Sequence, residues 1–200
     1  MQPWKGESRF AFFLDETSHN LPPCEELLRT VGTQPNEPRF VINRIRESLE
    51  AVQPYLNSLE EESKVVKQLL VFTENLTIAP PGPTKEDQLN TLSFVRTWLA
   101  WLPESCLHLR DGDPLVLLAF AQLYMVTLAV NPLFPAIGPG FFTAMRACAI
   151  YNINQALIDN VETSTVSRPL TKDDLRRLMK HPMDVAIRFA AEKRGLRLTV

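Results

Sequence analysis

Apolar side chains recur every three or four positions along most of the chain, a spacing that places them on one face of an α-helix. Stripes of this kind cover residues 38–52, 58–75, 84–102 and 141–159, and each has a polar opposite face. They predict amphipathic helices that bury one side. Outside these stripes, only residues 196–200 carry a pattern that also fits a strand.

Residues 115–130 depart from this pattern because they are apolar on nearly every side, interrupted by Gln122 and Thr127. A helix of this kind lies either in a protein core or in lipid. Its length falls short of the roughly 20 residues that span a bilayer, and no Lys/Arg cluster flanks it. We therefore predict no membrane span and an all-α fold, an irregular helical bundle around a central apolar helix at residues 115–130.

Capping residues and prolines define the boundaries of the predicted helices more closely. Four starts carry a residue whose side chain caps the backbone N–H groups of a first helical turn, in two cases followed by proline. The pairs are Asn36 with Pro38, Thr84 with Asp87, Asp113 with Pro114, and Thr171 with Asp174. Near the C-terminus, His181-Pro182 predicts a break between helices at 172–180 and 183–194, because an internal proline removes a backbone hydrogen bond.

Residues 1–35 lack sustained periodicity and contain several prolines, so we predict an extended lead-in followed by one helical domain over residues 36–200. The net charge of −2 gives no general attraction to nucleic acid or to an anionic membrane. Residues 168–200 are basic, with nine Lys/Arg against four Asp/Glu. This tail either meets a phosphate or an acidic partner, or forms ordinary solvated helix faces.

No sequence motif for catalysis, metal binding or phosphate binding is present. The three cysteines, Cys24, Cys106 and Cys148, are odd in number and far apart, which favours reduced thiols over a disulfide framework. The sequence contains no Cys-x-x-Cys pair, so it does not suggest a zinc site. We therefore predict no cofactor and no metal, and a location in the nucleus or cytoplasm.

Aromatic and methionine side chains on the central helix and on the segment after it are candidates for lining an adaptable apolar pocket. The candidate ligand-binding residues are Phe120, Gln122, Tyr124, Met125, Phe142 and Met145. The same residues are also typical of a plain hydrophobic core. A cavity beside them favours ligand binding, whereas a solid core favours an interaction module.

One region resembles a known family. The sequence FVRTWLAWLP at residues 94–103 is followed, after a short turn, by GDPLVLLAFAQL at residues 112–123. This combination resembles the C-terminal regulatory domain of fungal zinc-cluster transcription factors, the group that includes sterol-uptake regulators. The segments PLFPAIG at 132–138 and FFTAM at 141–145 are similar to the same family.

The resemblance implies an all-helical regulatory domain that dimerises, binds a hydrophobic ligand such as a sterol, or binds a protein partner, and that controls transcription. The family's DNA-binding module needs six closely spaced cysteines, which this sequence lacks, so we expect no direct nucleic-acid binding by this chain. Two alternatives stay open. One is an enzyme of a fungal biosynthetic pathway acting through an apolar pocket, and the other is a purely structural interaction module.

Overall fold

Six α-helices account for most of the residues that the computed structural model describes, which are 37–99, 113–138, 141–142, 144–160 and 170–193. The helices are α1 (Pro38–Val52), α2 (Glu60–Ile78), α3 (Lys85–Leu99), α4 (Pro114–Ala129), α5 (Ala144–Asn160) and α6 (Lys172–Lys193). Short 3-10 helices follow α1 and α4, at Gln53–Leu56 and Asn131–Leu133. The described part of the chain contains no strand, and the predicted all-α helical bundle is confirmed.

Helix α4 is the centre of the bundle. It contacts all five other helices, and every residue from Val116 to Leu128 is buried. The segment Pro114–Leu133 is long and apolar enough to cross a membrane by length and composition, but 78% of its most apolar window is buried inside the protein. The uniform apolarity of α4 is therefore explained by contact with protein on every side.

The outer helices bury one face each. On α1 this face consists of Ile42, Ile45, Leu49 and Val52, which recur at helical spacing. Helix α1 packs against α2, α4 and α6, while α5 and α6 pack against each other and against α4. The amphipathic pattern of the sequence thus becomes a single core that surrounds α4.

Three of the four predicted caps are present. Asp113 accepts a hydrogen bond from the Leu115 N–H at 2.9 Å. Thr84 and Asp87 form a reciprocal capping pair at the start of α3, with side chain to backbone distances of 3.1 and 3.3 Å. The pair Thr171 and Asp174 does the same for α6, at 3.0 and 3.3 Å.

The predicted cap at Asn36 is wrong. Glu37 occupies the capping position of α1, and its side chain makes no capping hydrogen bond. Its backbone is extended (φ −64°, ψ 127°) because a residue that precedes proline is sterically excluded from the helical region. Pro38 favours a helix start at this position, since its missing N–H has no intrahelical partner to lose there.

Other boundaries also move. Helix α2 extends three residues beyond the predicted end at position 75, and α5 begins at Ala144 rather than at position 141. The predicted lead-in, the end of the third helix after position 99 and the pattern at 196–200 lie outside the described residues.

The predicted break at His181-Pro182 is wrong, because α6 continues from Lys172 to Lys193 with Pro182 inside it. Proline has no N–H, so the carbonyl of Leu178, four residues earlier, loses its normal helical donor. The side chain of Gln122 replaces that donor: its Nε2 donates to the Leu178 oxygen at 3.3 Å. A tertiary hydrogen bond thus takes the place of the missing backbone one.

The same amide also connects α1. The Ser48 Oγ donates to the Gln122 Oε1 at 3.0 Å, and Gln122 itself has no exposed surface. One buried side chain on α4 therefore joins α1 to the proline turn of α6. A buried polar group left without a partner costs roughly 1–3 kcal/mol, so this arrangement is energetically significant.

We predict that Gln122→Leu lowers the free energy of unfolding by about 2 kcal/mol, because it leaves the Leu178 carbonyl buried and unpaired. Combined with Pro182→Ala, which restores the backbone N–H, the same substitution is expected to cost about 1 kcal/mol less. Urea unfolding of the four proteins measures this coupling.

A second buried glutamine provides the control. Gln88 donates to the Gly82 oxygen at 3.2 Å and accepts from the Ala136 N–H at 2.9 Å, so it also loses two hydrogen bonds on substitution. Gln88→Leu is expected to cost the same with and without Pro182→Ala. If Gln122→Leu also lowers the free energy of unfolding by the same amount with and without Pro182→Ala, Gln122 does not support the proline turn.

Candidate functional site

The residues predicted to line an apolar pocket lie in the packed core. Five of the six are buried, namely Phe120, Gln122, Tyr124, Met125 and Phe142, and Met145 is half-buried. Gln122 is occupied by its bonds to α1 and α6. None of the six lines either of the two clefts described below.

Aromatic packing separates these residues into two groups. The Phe120 and Tyr124 rings form one pair on α4, with centroids 6.0 Å apart. Phe142 belongs to another group after α4, with its ring centroid 4.9 Å from that of Phe141 and 6.4 Å from that of Phe134. Stacked and edge-on rings at these distances are typical of a filled core.

Arg146 borders both groups. Its guanidinium lies 5.4 Å from the centroid of the Phe141 ring, a cation–π arrangement. Burial lowers the pKa of Arg146, and the nearby Tyr124 opposes that shift. The neighbourhood therefore accommodates one charged side chain beside aromatic rings.

Two adjoining clefts lie between α1 and α6. The first, the apolar cleft, has a volume of about 80 Å³ and reaches the end of α4. Its apolar lining consists of Phe40, Val41, Leu128, Ala129, Pro132, Val185 and Phe189. The second, the polar cleft, has a volume of about 190 Å³ and includes Glu47, Ser48, Arg177 and Lys180. Arg44 and His181 line both clefts, and we call the two together the α1–α6 groove.

A polar stripe on α6 forms one side of this groove. Arg177, His181, Asp184 and Arg188 follow one another at intervals of four, three and four residues, which places them on one helical face. The sequence contains this spacing, but the predicted break at Pro182 divided it between two helices. Continuity of α6 is what brings the four side chains into one row.

His181 is the least satisfied polar group in the groove. Both of its ring nitrogens are buried, and neither has a hydrogen-bond partner among the described residues. Burial, together with the positive charges of Arg44 and Arg188, lowers the pKa of His181 to about 4. The imidazole is therefore neutral near pH 7, with one N–H donor and one acceptor nitrogen.

Arg44 faces His181 from α1. Its terminal nitrogen pairs with Glu47 at 3.1 Å, while its Nε is buried and has no hydrogen-bond partner in the described structure. On α6, burial raises the pKa of the Asp184 carboxyl, against the influence of Arg188, Lys180 and Arg44. The groove thus combines cationic side chains with one partly desolvated carboxyl group.

A hydrogen-bonded cluster positions the start of α6 beside the end of α1. The Tyr55 hydroxyl donates to Asp174 at 3.0 Å, and Arg177 donates to the Tyr55 oxygen at 2.9 Å and to Asp174 at 3.3 Å. Hydrogen bonds from Thr171 and Tyr55 lower the pKa of Asp174. These contacts fix the start of α6 relative to the end of α1 at the polar end of the groove.

The described part of the chain contains no group of three His, Cys, Asp or Glu side chains placed to hold a metal ion. Comparison with known proteins adds no assignment: no protein-family profile, no curated protein and no solved structure matches the chain. The groove therefore has to be interpreted from its own chemistry.

We predict that His181 makes the protein less stable in acid. Its folded pKa of about 4 lies below the ordinary histidine value of 6.5, so between these pH values the unfolded chain binds more protons. The free energy of unfolding is expected to fall by about 2 kcal/mol from this residue between about pH 7 and pH 4.5. Asp184, whose pKa is raised, acts in the opposite direction.

Urea unfolding at both pH values tests this prediction. His181→Leu removes the titrating group and is expected to flatten the acid dependence. Identical pH dependence in the wild type and His181→Leu would contradict the assignment.

Proposed function

We propose that this chain is a regulatory binding module that docks a short segment of a partner protein in the α1–α6 groove. The observation that carries the proposal is an apolar floor combined with buried polar atoms that have no hydrogen-bond partner among the described residues. These atoms are the ring nitrogens of His181 and the Nε of Arg44. Buried polar groups in folded proteins are nearly always hydrogen-bonded. Such atoms beside an open cleft indicate that a ligand completes their bonding.

The dimensions of the groove favour a peptide segment. Clefts that enclose a drug-sized molecule have volumes of roughly 300–1,000 Å³, whereas the two clefts measure about 80 and 190 Å³. Each fits a single side chain. They lie in line along α6 from Arg177 to Glu192, a distance of about 22 Å at 1.5 Å per residue. Two adjoining side-chain clefts suit successive anchors of one extended or helical segment.

A sterol-like ligand has less support. The residues that the sequence predicts to bind such a ligand are packed against one another and against neighbouring helices. A molecule of that size would have to separate α4 from its neighbours, which would expose core surface to make room. Burial of Phe120, Met125 and Phe142 is also what an interaction module requires of its core.

The regulatory part of the proposal rests on the family resemblance of residues 94–145. It supports a role in transcriptional control in a fungal nucleus, with the DNA-binding step supplied by another protein or domain. A docked segment would contact α1 and α6 together, and Gln122 links both helices to α4. Docking can then regulate by favouring one packing of α6 over another, provided the partner binds that packing more tightly.

The proposal predicts that peptides selected from a random display library on the full chain bind in the groove. Phe40→Ala removes the half-buried ring at one end of the apolar cleft and is expected to weaken selected peptides roughly tenfold, because a lost aromatic contact is worth about 1–2 kcal/mol. Fluorescence anisotropy with labelled peptides gives the affinities.

The matched control is Val71→Ala, at an exposed apolar side chain on α2, away from the groove. It is expected to leave peptide affinity unchanged, and circular dichroism confirms that both variants are folded. Peptides that bind Phe40→Ala as tightly as the wild type, or a library that yields no binder, would refute docking in the groove.

A further inference from the structure

The chemistry of the groove also specifies what the docked segment presents. We propose that it places a carboxylate between Arg44, His181 and Arg188, next to an apolar side chain in the apolar cleft. This inference rests on the proposed docking function and adds the class of ligand. The three residues come from two helices and all line the apolar cleft.

The hydrogen-bonding inventory of the groove supports a carboxylate. The Nε of Arg44 is a donor without a partner in the described part of the chain, and a neutral His181 contributes one further N–H. An ionised carboxylate only accepts, and its two oxygens offer about four acceptor positions, enough for both donors and for a guanidinium group of Arg188. Charge-assisted bonds of this kind are shorter and stronger than those between neutral groups.

The charges around the groove also favour a carboxylate ligand. The charged residues that line the groove are Arg44 and Glu47 from α1, and Arg177, Lys180, Asp184, Arg188 and Glu192 from α6. Four are cationic and three are acidic, and Glu47 already pairs with the terminal nitrogen of Arg44. The residues of α4 at the groove, Leu128 and Ala129, carry no charge. One incoming carboxylate therefore brings the groove close to neutrality.

The position of the proposed carboxylate site also predicts the apolar part of the ligand. Val41, Leu128 and Phe189 lie in the same cleft as His181 and Arg188, so the anion site and the apolar lining adjoin. A volume of about 80 Å³ accommodates a branched side chain such as that of leucine or valine. The segment is thus expected to carry an acidic residue, or a terminal carboxylate, directly beside a branched apolar one.

Docking of a carboxylate is linked to proton uptake. A negative charge beside His181 favours the imidazolium form, so the pKa of His181 in the complex lies above the value of about 4 in the free protein. Affinity then increases as the pH falls through the pKa of the complex, as long as the ligand carboxylate stays ionised. A neutral ligand of the same shape has no such dependence.

Two probes of equal shape test the inference on the full chain. The first is 3-methylbutanoate, a carboxylate with a branched tail, and the second is the neutral 3-methylbutanamide. Nuclear magnetic resonance of labelled histidine rings, with His181 assigned by His181→Gln, follows binding. The carboxylate is expected to bind roughly tenfold more tightly than the amide, and several-fold more tightly at about pH 5.5 than at pH 7.5.

Variants on the two helices show whether the preference comes from the groove. Arg44→Gln and Arg188→Gln are each expected to reduce the carboxylate preference at least about threefold. The matched controls are Arg46→Gln on α1 and Arg176→Gln on α6, because both arginines are well exposed and each forms an ion pair with a near neighbour on its own helix. The controls are expected to keep the full preference.

Three results would overturn the inference: equal affinity for the two probes, an unchanged His181 pKa in the complex, or control variants that weaken binding as much as Arg44→Gln and Arg188→Gln do. These results are distinguishable from failure of the docking proposal. Equal probe affinity together with peptides sensitive to Phe40→Ala leaves docking intact and removes the carboxylate. A clear carboxylate preference without any selected peptide leaves an anion site and removes protein docking.

Discussion

A single buried amide joins the two helices that form the α1–α6 groove to the central helix. Gln122 lies in the middle of the most apolar helix, and its two polar ends bond to Ser48 on α1 and to the Leu178 carbonyl on α6. Burying an amide in such surroundings is unfavourable unless both ends are bonded. The geometry of α1 and α6 relative to α4 is therefore constrained by the need to satisfy this side chain.

The groove is a consequence of that constraint. Pro182 would ordinarily bend or end a helix, and without the bond from Gln122 the Leu178 carbonyl would be buried and unpaired. Because α6 continues, Arg177, His181, Asp184 and Arg188 lie on one face and line the groove opposite Arg44. The core thus determines the chemistry of the surface, since a change at Gln122 alters how the residues before and after Pro182 are aligned.

Local sequence patterns predicted most of the fold but not the site. The all-α class, the central helix and the caps at Asp113, Thr84 and Thr171 follow from periodicity and side-chain chemistry within a few residues. Such patterns do not predict the hydrogen bond between residues 122 and 178, which come together only in the folded chain. Apolarity also predicted ligand-binding residues at Met125 and Phe142, and both side chains are buried; their role in binding stays a prediction.

The most direct test of this dependence is amide hydrogen exchange on the full chain, compared between the wild type and Gln122→Leu. If Gln122 supports α6, the amides on both sides of Pro182, from Lys180 to Ala186, are expected to exchange about tenfold faster in the variant, while those from Val65 to Leu69 on α2 change little. Acceleration spread evenly over all helices, or unchanged exchange around Pro182, would contradict the account.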